Sequence, residues 1–280
     1  MRLGQNLLQQ GAAGGLGPEL DLTLYAGTPA ETVNLTGGYD VEVSNDGTRF
    51  WSLTSVASGG TTSPAIRQWD LSTPYDLSSR TLTGTFTPGW STSYPAISMS
   101  FGATGDYLFV YSYAPGRFVY RIPLATPYDI STAGTAYQNV DLDSGSGTAG
   151  GMTMAADGKT IFTTNRTTTV FINQLSTADD LSTVGSQTSV DLSAYIPSGG
   201  LYDMQFISSG GKHYCIFGTR SANIVYALEL GSPEDLTDVI ASQSRNFGAD
   251  SFGVAISSDL AHLYCGTGSQ TGNTSRFTFA

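Results

Sequence analysis

The sequence predicts an all-β fold, a five-bladed β-propeller with four-stranded blades whose ring is closed by an N-terminal strand. Three observations lead to this prediction. The composition disfavours helices, one short phrase returns at the spacing of a propeller blade, and the last copy of the repeat lacks a strand. The chain has 280 residues, a length that closed all-β folds reach as a single domain.

The composition is rich in turn-forming and strand-forming residues and poor in charge. The chain contains 34 Gly and only 12% charged residues, and Gly, Ser and Thr all rank below Ala as helix formers. Its net charge of -11 repels the phosphate backbone, so we expect no nucleic-acid partner. Because no apolar run could cross a membrane and the first ten residues do not form a signal peptide, we expect a protein made in the cytosol without membrane insertion.

One phrase, Leu-x-(Thr or Ser)-x-x-Asp followed by an apolar residue and Ser or Thr, occurs four times. Its copies end on the aspartates Asp76, Asp129, Asp180 and Asp235. These aspartates are 53, 51 and 55 residues apart, which is the length of one four-stranded propeller blade. Asp and Ser bond nearby backbone groups, so the phrase predicts a turn into the outer strand of each blade.

A tight turn upstream of each phrase separates two short apolar segments. In four copies this turn contains a glycine, because two-residue hairpins need the positive φ that Gly adopts readily. Before the turn, apolar residues alternate with period two, which predicts the innermost strand of each blade. These residues are Val41 and Val43, Ile97 and Met99, Met152 and Met154, Met204 and Phe206, and Val254 and Ile256.

The fifth copy of the repeat ends in its third strand, at residues 277–280, and so lacks a fourth strand. Residues 30–36 precede the first blade, and we expect them to supply the missing strand by joining the two ends of the chain. Such closure removes two sheet edges, each a row of unpaired backbone groups. The predicted domains are an N-terminal arm over residues 1–24, flexible or docked on a partner, and a propeller over residues 25–280.

Two carboxylates are candidates for ligand binding at one mouth of the central channel. Asp40 and Asp203 each follow a tyrosine at the start of a predicted innermost strand. Glycoside cleavage requires two carboxylates at a set separation, but the matching positions in the other blades are Ala96, Gly151 and Gly253. We therefore predict no catalytic residues, and a structural role as turn caps is the alternative to ligand binding.

Three aromatic residues are candidates for recognition of a surface ligand. Trp90 and Tyr94 lie in the long connection between the first and second blades, and Tyr113 lies in the second blade. Tyr and Trp present a large apolar face together with a polar edge, which suits binding surfaces. Packing between blades is the alternative role.

Other potential metal ligands predict no metal site and no cofactor. His213 and His262 occupy matching positions just after the turn of adjacent blades, and two histidines without a third ligand make a weak site. Asp141 and Asp143 offer alternate oxygen ligands for Ca²⁺ in a Gly-rich segment, yet the downstream Glu of a strong calcium loop is missing.

Cys215 and Cys265 fall at positions whose side chains point to opposite faces of neighbouring strands, so we expect buried free thiols rather than a disulfide. The sequence also lacks Gly-x-Ser-x-Gly, a phosphate-binding glycine loop, His-Glu-x-x-His and Cys-x-x-Cys. The common nucleophile, nucleotide and zinc signatures are therefore missing.

The repeat, with its turn glycine, apolar pair and then Leu-Ser-Thr-Pro-Tyr-Asp-Leu-Ser, resembles the propeller repeats of predicted proteins of tailed bacteriophages and marine viruses. It is more distantly similar to the YVTN-type propellers of bacterial surface proteins. The resemblance covers about residues 30–280. It has two departures, since the fifth turn has Ser-Asp-Leu in place of a glycine, and Ala178 replaces the proline of the phrase.

This resemblance implies a non-enzymatic virion component, such as a tail fibre, a tail-tip protein or a capsid decoration protein, made in the host cytoplasm and assembled without secretion. It implies that other virion proteins are partners through the N-terminal arm. A glycan or protein of the host surface and further copies of the chain are additional candidate partners. Two alternatives stay open, namely a carbohydrate-binding propeller lectin and a five-bladed glycan hydrolase that uses Asp40 and Asp203.

Overall fold

The structure is a computed structural model, and it describes residues 20–26, 28–35, 38–54, 64–89, 95–112, 117–135, 137–142, 148–197, 200–219, 223–247, 252–267 and 272–278. Within these residues, twenty β-strands form five antiparallel sheets of four strands each. The helical elements of the same residues are four short 3-10 turns, and none is long and apolar enough to span a membrane.

Each sheet is one blade. Blade one consists of β2 (Asp40–Val43), β3 (Arg49–Thr54), β4 (Ala65–Leu71) and β5 (Arg80–Phe86). Blade two consists of β6 (Ala96–Phe101), β7 (Tyr107–Ser112), β8 (Phe118–Pro123) and β9 (Gln138–Asp141). Blade three consists of β10 (Met152–Met154), β11 (Thr160–Thr164), β12 (Thr169–Leu175) and β13 (Val184–Asp191). Blade four consists of β14 (Leu201–Ser209), β15 (Lys212–Thr219), β16 (Ile224–Leu230) and β17 (Val239–Asn246). Blade five combines β18 (Gly253–Ile256), β19 (His262–Gly266) and β20 (Asn273–Thr278) with β1 (Glu31–Asn34).

The blades form a ring around a central channel. The innermost strands β2, β6, β10, β14 and β18 contact one another in that order, and β18 contacts β2 again. Their alternate apolar residues, such as Val41, Met152 and Val254, are buried in the cores between blades. The predicted five-bladed propeller is confirmed, and it follows from the period-two pattern of these strands.

The ring is closed by strands from the two ends of the chain. β1 pairs antiparallel with β20, from Glu31 opposite Arg276 to Asn34 opposite Asn273. The Glu31 carboxylate lies 3.3 Å from Arg276 Nε and accepts a hydrogen bond from the Leu77 amide of blade one at 3.1 Å. Glu31 therefore ties β1, β20 and blade one together at the seam, and the predicted closing strand is confirmed.

Three of the four phrases end in a 3-10 turn that the aspartate caps, and Asp235 of the fourth phrase accepts hydrogen bonds from Thr237 in the same way. In blades one, two and three these turns are η2 (Leu77–Ser79), η3 (Ile130–Thr132) and η4 (Leu181–Thr183). Asp76, the cap of η2, accepts hydrogen bonds from the Ser78 amide and hydroxyl, at 2.9 and 2.7 Å. These bonds satisfy backbone donors that the short turn leaves open, so the phrase is a structural device.

A fifth capped turn lies near the N-terminus. In η1 (Leu22–Leu24), Asp21 accepts hydrogen bonds from the Thr23 amide and hydroxyl at 2.8 and 2.6 Å, as the other phrase aspartates do. Leu20 and Leu22 are buried against blades four and five. Residues 20–24, which the sequence assigned to the arm, thus occupy the place of the phrase in blade five. The remainder of that arm, residues 1–19, lies outside the described residues.

The phrases also connect neighbouring blades. Asp179 of blade three accepts a hydrogen bond from the Ala103 amide in the turn of blade two at 3.0 Å. Glu234 of blade four accepts one from the Ala156 amide in the turn of blade three at 2.6 Å. These two contacts join three consecutive blades on the face of the propeller that carries the turns.

Candidate functional site

The two candidate carboxylates lie at the start of innermost strands, as their sequence positions indicate. Asp40 opens β2 and Asp203 is the third residue of β14. Only 2% and 3% of their surfaces are exposed. Each carboxylate accepts a hydrogen bond from the amide of the next residue, Val41 at 2.7 Å and Met204 at 2.8 Å.

The same carboxylates hold the innermost strand of the next blade. Asp40 Oδ2 accepts a hydrogen bond from the Met99 amide of blade two at 2.5 Å, and Asp203 Oδ2 accepts one from the Val254 amide of blade five at 2.8 Å. An innermost strand has one edge without a ladder partner, so its buried amides need such acceptors. The carboxylates provide them.

Uncharged side chains do the same at other points of the channel. The Ser98 hydroxyl of blade two accepts a hydrogen bond from the Met152 amide of blade three at 3.0 Å. One layer further along the channel, Ser100 accepts from the Met154 amide at 3.2 Å and Gln205 Oε1 accepts from the Ile256 amide at 2.8 Å. Because serine and glutamine take equivalent roles, the aspartates belong to a repeated structural pattern.

Glycines stand where two other blades lack a carboxylate, and packing explains them. A Cβ atom on Gly151 would lie 2.4 Å from the Cα of Asp203, and one on Gly253 would lie 2.6 Å from the Cα of Asp40. Real Cβ atoms do not approach other atoms so closely, so only glycine fits there. Each aspartate-bearing strand therefore requires glycine on the blade that precedes it.

The two carboxyl groups lie close enough for each to influence the ionisation of the other. Burial raises the pKa of Asp40 to about 6. Burial, followed by the negative charge of Asp40, raises the pKa of Asp203 well above its usual value. Two buried carboxyls that interact cannot both ionise readily, so the second proton leaves the pair at a higher pH than the first.

An aromatic arc lies next to this pair on blades four, five and one. Tyr39 and Tyr202 precede Asp40 and Asp203, and Phe252 packs edge-on between them at centroid distances of 5.5 and 4.8 Å. The guanidinium of Arg166 lies 4.7 Å from the ring centre of Tyr202. Sequence reasoning missed Phe252 and Arg166. Phe252 could have been found from the sequence, because it precedes Gly253 just as Tyr39 and Tyr202 precede Asp40 and Asp203.

The three aromatic candidates and one of the two potential calcium ligands cannot be placed. Trp90, Tyr94, Tyr113 and Asp143 lie outside the described residues, and Asp141 accepts a hydrogen bond from the Arg117 amide at 3.1 Å.

The two histidines are separately engaged. His213 lies 2.8 Å from the Ser208 hydroxyl, and His262 stacks on Tyr75 with ring centres 5.0 Å apart. Within the described ranges, no group of three or more His, Cys, Asp or Glu side chains is placed to hold a metal ion. Cys215 and Cys265 are both buried thiols that form no disulfide, as predicted.

Comparisons with known proteins bear on the fold. No family model and no curated protein sequence matches the chain. Among solved structures, a putative 6-phosphogluconolactonase from Bacteroides uniformis is similar with a TM-score of 0.50 and 16% identity, over 86% of this chain and 67% of that chain. The beta-propeller domain of Myceliophteria thermophila Cps50 (Swd1) has a TM-score of 0.47 and 11% identity, over 90% of this chain and 99% of that chain. At these identities the similarity concerns the fold alone.

Proposed function

We propose that this chain is a non-catalytic β-propeller module of a virion, serving as a tail fibre, tail-tip or capsid decoration protein and contributing to recognition of the host surface. The repeat that resembles those of phage and marine-virus proteins supports the virion setting. The burial and the backbone hydrogen bonds of Asp40 and Asp203 support the non-catalytic part of the proposal.

The carboxylates of Asp40 and Asp203 form hydrogen bonds with the backbone of the propeller itself. Their oxygens accept amide hydrogen bonds from blades one, two, four and five, and hardly any of their surface is exposed. A hydrolytic carboxylate must reach the bond to be cleaved or the attacking water. Carboxylates that instead satisfy buried amides favour a structural role, which was the alternative given by the sequence.

The virion proposal is tested by locating the chain in particles purified from the source of this sequence. Mass spectrometry and cryo-electron microscopy should find the full-length chain in the particle. A variant without residues 1–19 should lose incorporation, because the arm is the proposed contact with other virion proteins. A control in which a Gly/Ser linker of equal length replaces residues 1–19 separates loss of the contact from loss of length. Absence of the full-length chain from particles would contradict the proposal.

The non-catalytic part has its own test. We expect no release of reducing sugar from a panel of polysaccharides, either by the wild-type chain or by Asp40→Asn. Turnover by the wild type that Asp40→Asn abolishes, with both proteins equally folded by circular dichroism, would establish the hydrolase alternative instead.

A further inference from the structure

A cavity on the outer part of blade two lies away from the channel. It has a volume of about 250 Å³ and is lined by Tyr107, Arg121, Pro123, Tyr137 and Gln138. Typical pockets for drug-sized ligands occupy roughly 300–1,000 Å³. This cavity is therefore of a size for a single ring rather than an extended ligand.

Arg121 is held in place by three neighbours. Its guanidinium carbon lies 3.7 Å from the ring centre of Tyr107, and Nη1 donates a hydrogen bond to Gln138 Oε1 at 2.7 Å. Asp180 Oδ1 of blade three lies 4.0 Å from the same nitrogen. The positive charge is thus matched by a carboxylate and spread over an aromatic face, so the cavity offers polar groups without an unbalanced charge.

Tyr137 supplies the open aromatic wall. It is 37% exposed, and its ring meets the buried ring of Tyr120 edge-on at a centroid distance of 5.4 Å. A partly exposed aromatic ring that is fixed by a buried one gives a ligand a rigid apolar face.

The other blades act as internal controls for what the fold requires. Arg49, Thr160, His213 and His262 take the position of Tyr107, and Gln68, Ile172, Leu228 and Arg276 take the position of Arg121. Arg276, the matching arginine of blade five, is bound to Glu31 at the ring seam. Since four blades form without the Tyr107–Arg121 pair, the propeller scaffold does not explain it.

We propose that this cavity binds an uncharged hexose, the terminal sugar of a host-surface glycan, with the ring stacked on Tyr137 and its hydroxyls bonded to Arg121 and Gln138. Aromatic walls with a few fixed polar groups are typical of small-ligand sites, and guanidinium and amide groups bond well to hydroxyls. The balanced charge of Arg121 and the net charge of -11 favour a neutral sugar over an acidic one. The inference names a ligand for the host-recognition part of the proposed function.

The test uses the full chain on a glycan array, followed by calorimetric titration with the methyl glycosides of neutral hexoses that score and with methyl glucuronide. We expect saturable binding of a neutral hexose and weaker binding of the glucuronide. Tyr137→Ala should weaken binding roughly tenfold, which is about 1.4 kcal/mol. Tyr195→Ala is the matched control, because Tyr195 has the same 37% exposure in the connection between blades three and four, and it should leave affinity unchanged.

Gln138→Ala provides a second variant at an exposed position if Tyr137→Ala fails to fold, and it should also weaken binding. Absence of hexose binding, preference for the glucuronide, or binding that neither variant at the cavity changes would each overturn the inference. Failure here with the chain present in particles would leave the virion proposal intact. Hexose binding by a chain absent from particles would overturn that proposal while keeping this site.

Discussion

At the scale of residues, the channel shows how a propeller satisfies backbone groups that no strand can pair. Asp40, Ser98 and Asp203 each accept an amide hydrogen bond from the next blade, and Gly151 and Gly253 admit the strands that carry the two aspartates. Buried amides without a partner cost about 1–3 kcal/mol each. The side chains at this mouth are therefore part of the cohesion of the ring.

The paired carboxyls predict a stability that falls as pH rises. Their pKa values are higher in the folded protein than in the unfolded chain. Their contribution to the free energy of unfolding is therefore fully present below the ordinary value near 3.8. It is lost as the pH rises through the folded-state pKa. For Asp40 that window ends at about pH 6, and for Asp203 the pKa shift has the same direction. Asp40 alone accounts for on the order of 3 kcal/mol.

Asp203→Asn should flatten this dependence, because an amide at position 203 does not ionise and places no negative charge near Asp40. The measurement is the unfolding temperature of both proteins from pH 4 to pH 8, followed by circular dichroism. Asp157→Asn, at an exposed turn position, is the control and should keep the wild-type slope. Equal slopes for Asp203→Asn and the wild type would show that the two carboxyls do not influence each other's ionisation.

Only part of this site could be predicted from the sequence. The position of Asp40 and Asp203 after tyrosines indicated one mouth, because strand starts in a repeat share one end of the channel. The influence of each carboxyl group on the pKa of the other could not be predicted, since it depends on how closely the ring brings blades one and four together. In the sequence, the glycines at the matching positions indicate only that a carboxylate is missing. The structure explains them by the close approach of a neighbouring backbone.

At the scale of elements, the seam between β1 and β20 depends on one partly buried ion pair. Glu31 and Arg276 have side-chain exposures of 11% and 17%, and Glu31 also accepts the Leu77 amide. Buried pairs lose more when one partner is removed than exposed pairs do, because the remaining charge is left without compensation.

Glu31→Gln should therefore lower the free energy of unfolding by about 2 kcal/mol, measured by urea denaturation. The matched control is Asp70→Asn, which removes the exposed Arg49–Asp70 pair and should cost less than about 0.5 kcal/mol. Similar losses for the two variants would mean that the seam is no more sensitive than the surface.

The elements themselves were largely predictable, with one instructive omission. The innermost strands and the closing strand follow from side-chain alternation and from counting strands in the last copy. The capped turn at Asp21 was not predicted, because its sequence departs from the phrase. Leu20 stands between the Pro-Glu pair and Asp21, whereas Asp235 directly follows the Pro-Glu pair of the fourth phrase. Its spacing was nevertheless regular, because Asp21 precedes Asp76 by 55 residues and Leu16 precedes Asp21 by five.

At the scale of the whole molecule, the ring needs the segment from Leu20 to Asn34. This segment completes blade five through η1 and β1, and Gln243 and Arg245 of blade four bond its backbone. Removal would leave β20 as an open edge with unpaired amides and carbonyls.

A chain without residues 1–35 should lose cooperative unfolding and associate through β20, whereas a chain without residues 1–19 should keep the oligomeric state and the cooperative unfolding of the whole chain. Size-exclusion chromatography with light scattering and thermal denaturation measure both properties. If the chain without residues 1–35 unfolds cooperatively and does not associate, closure of the ring is dispensable.

The seam also determines when the protein can fold during its synthesis. β1 precedes the other described strands along the chain, but its partner β20 ends at Thr278, so the ring closes only after all five blades have been translated. Pairing across such a separation gives a high contact order, which slows folding. Until then β1 is an unpaired strand in a growing chain, and a chaperone that shields it would raise the yield of folded protein.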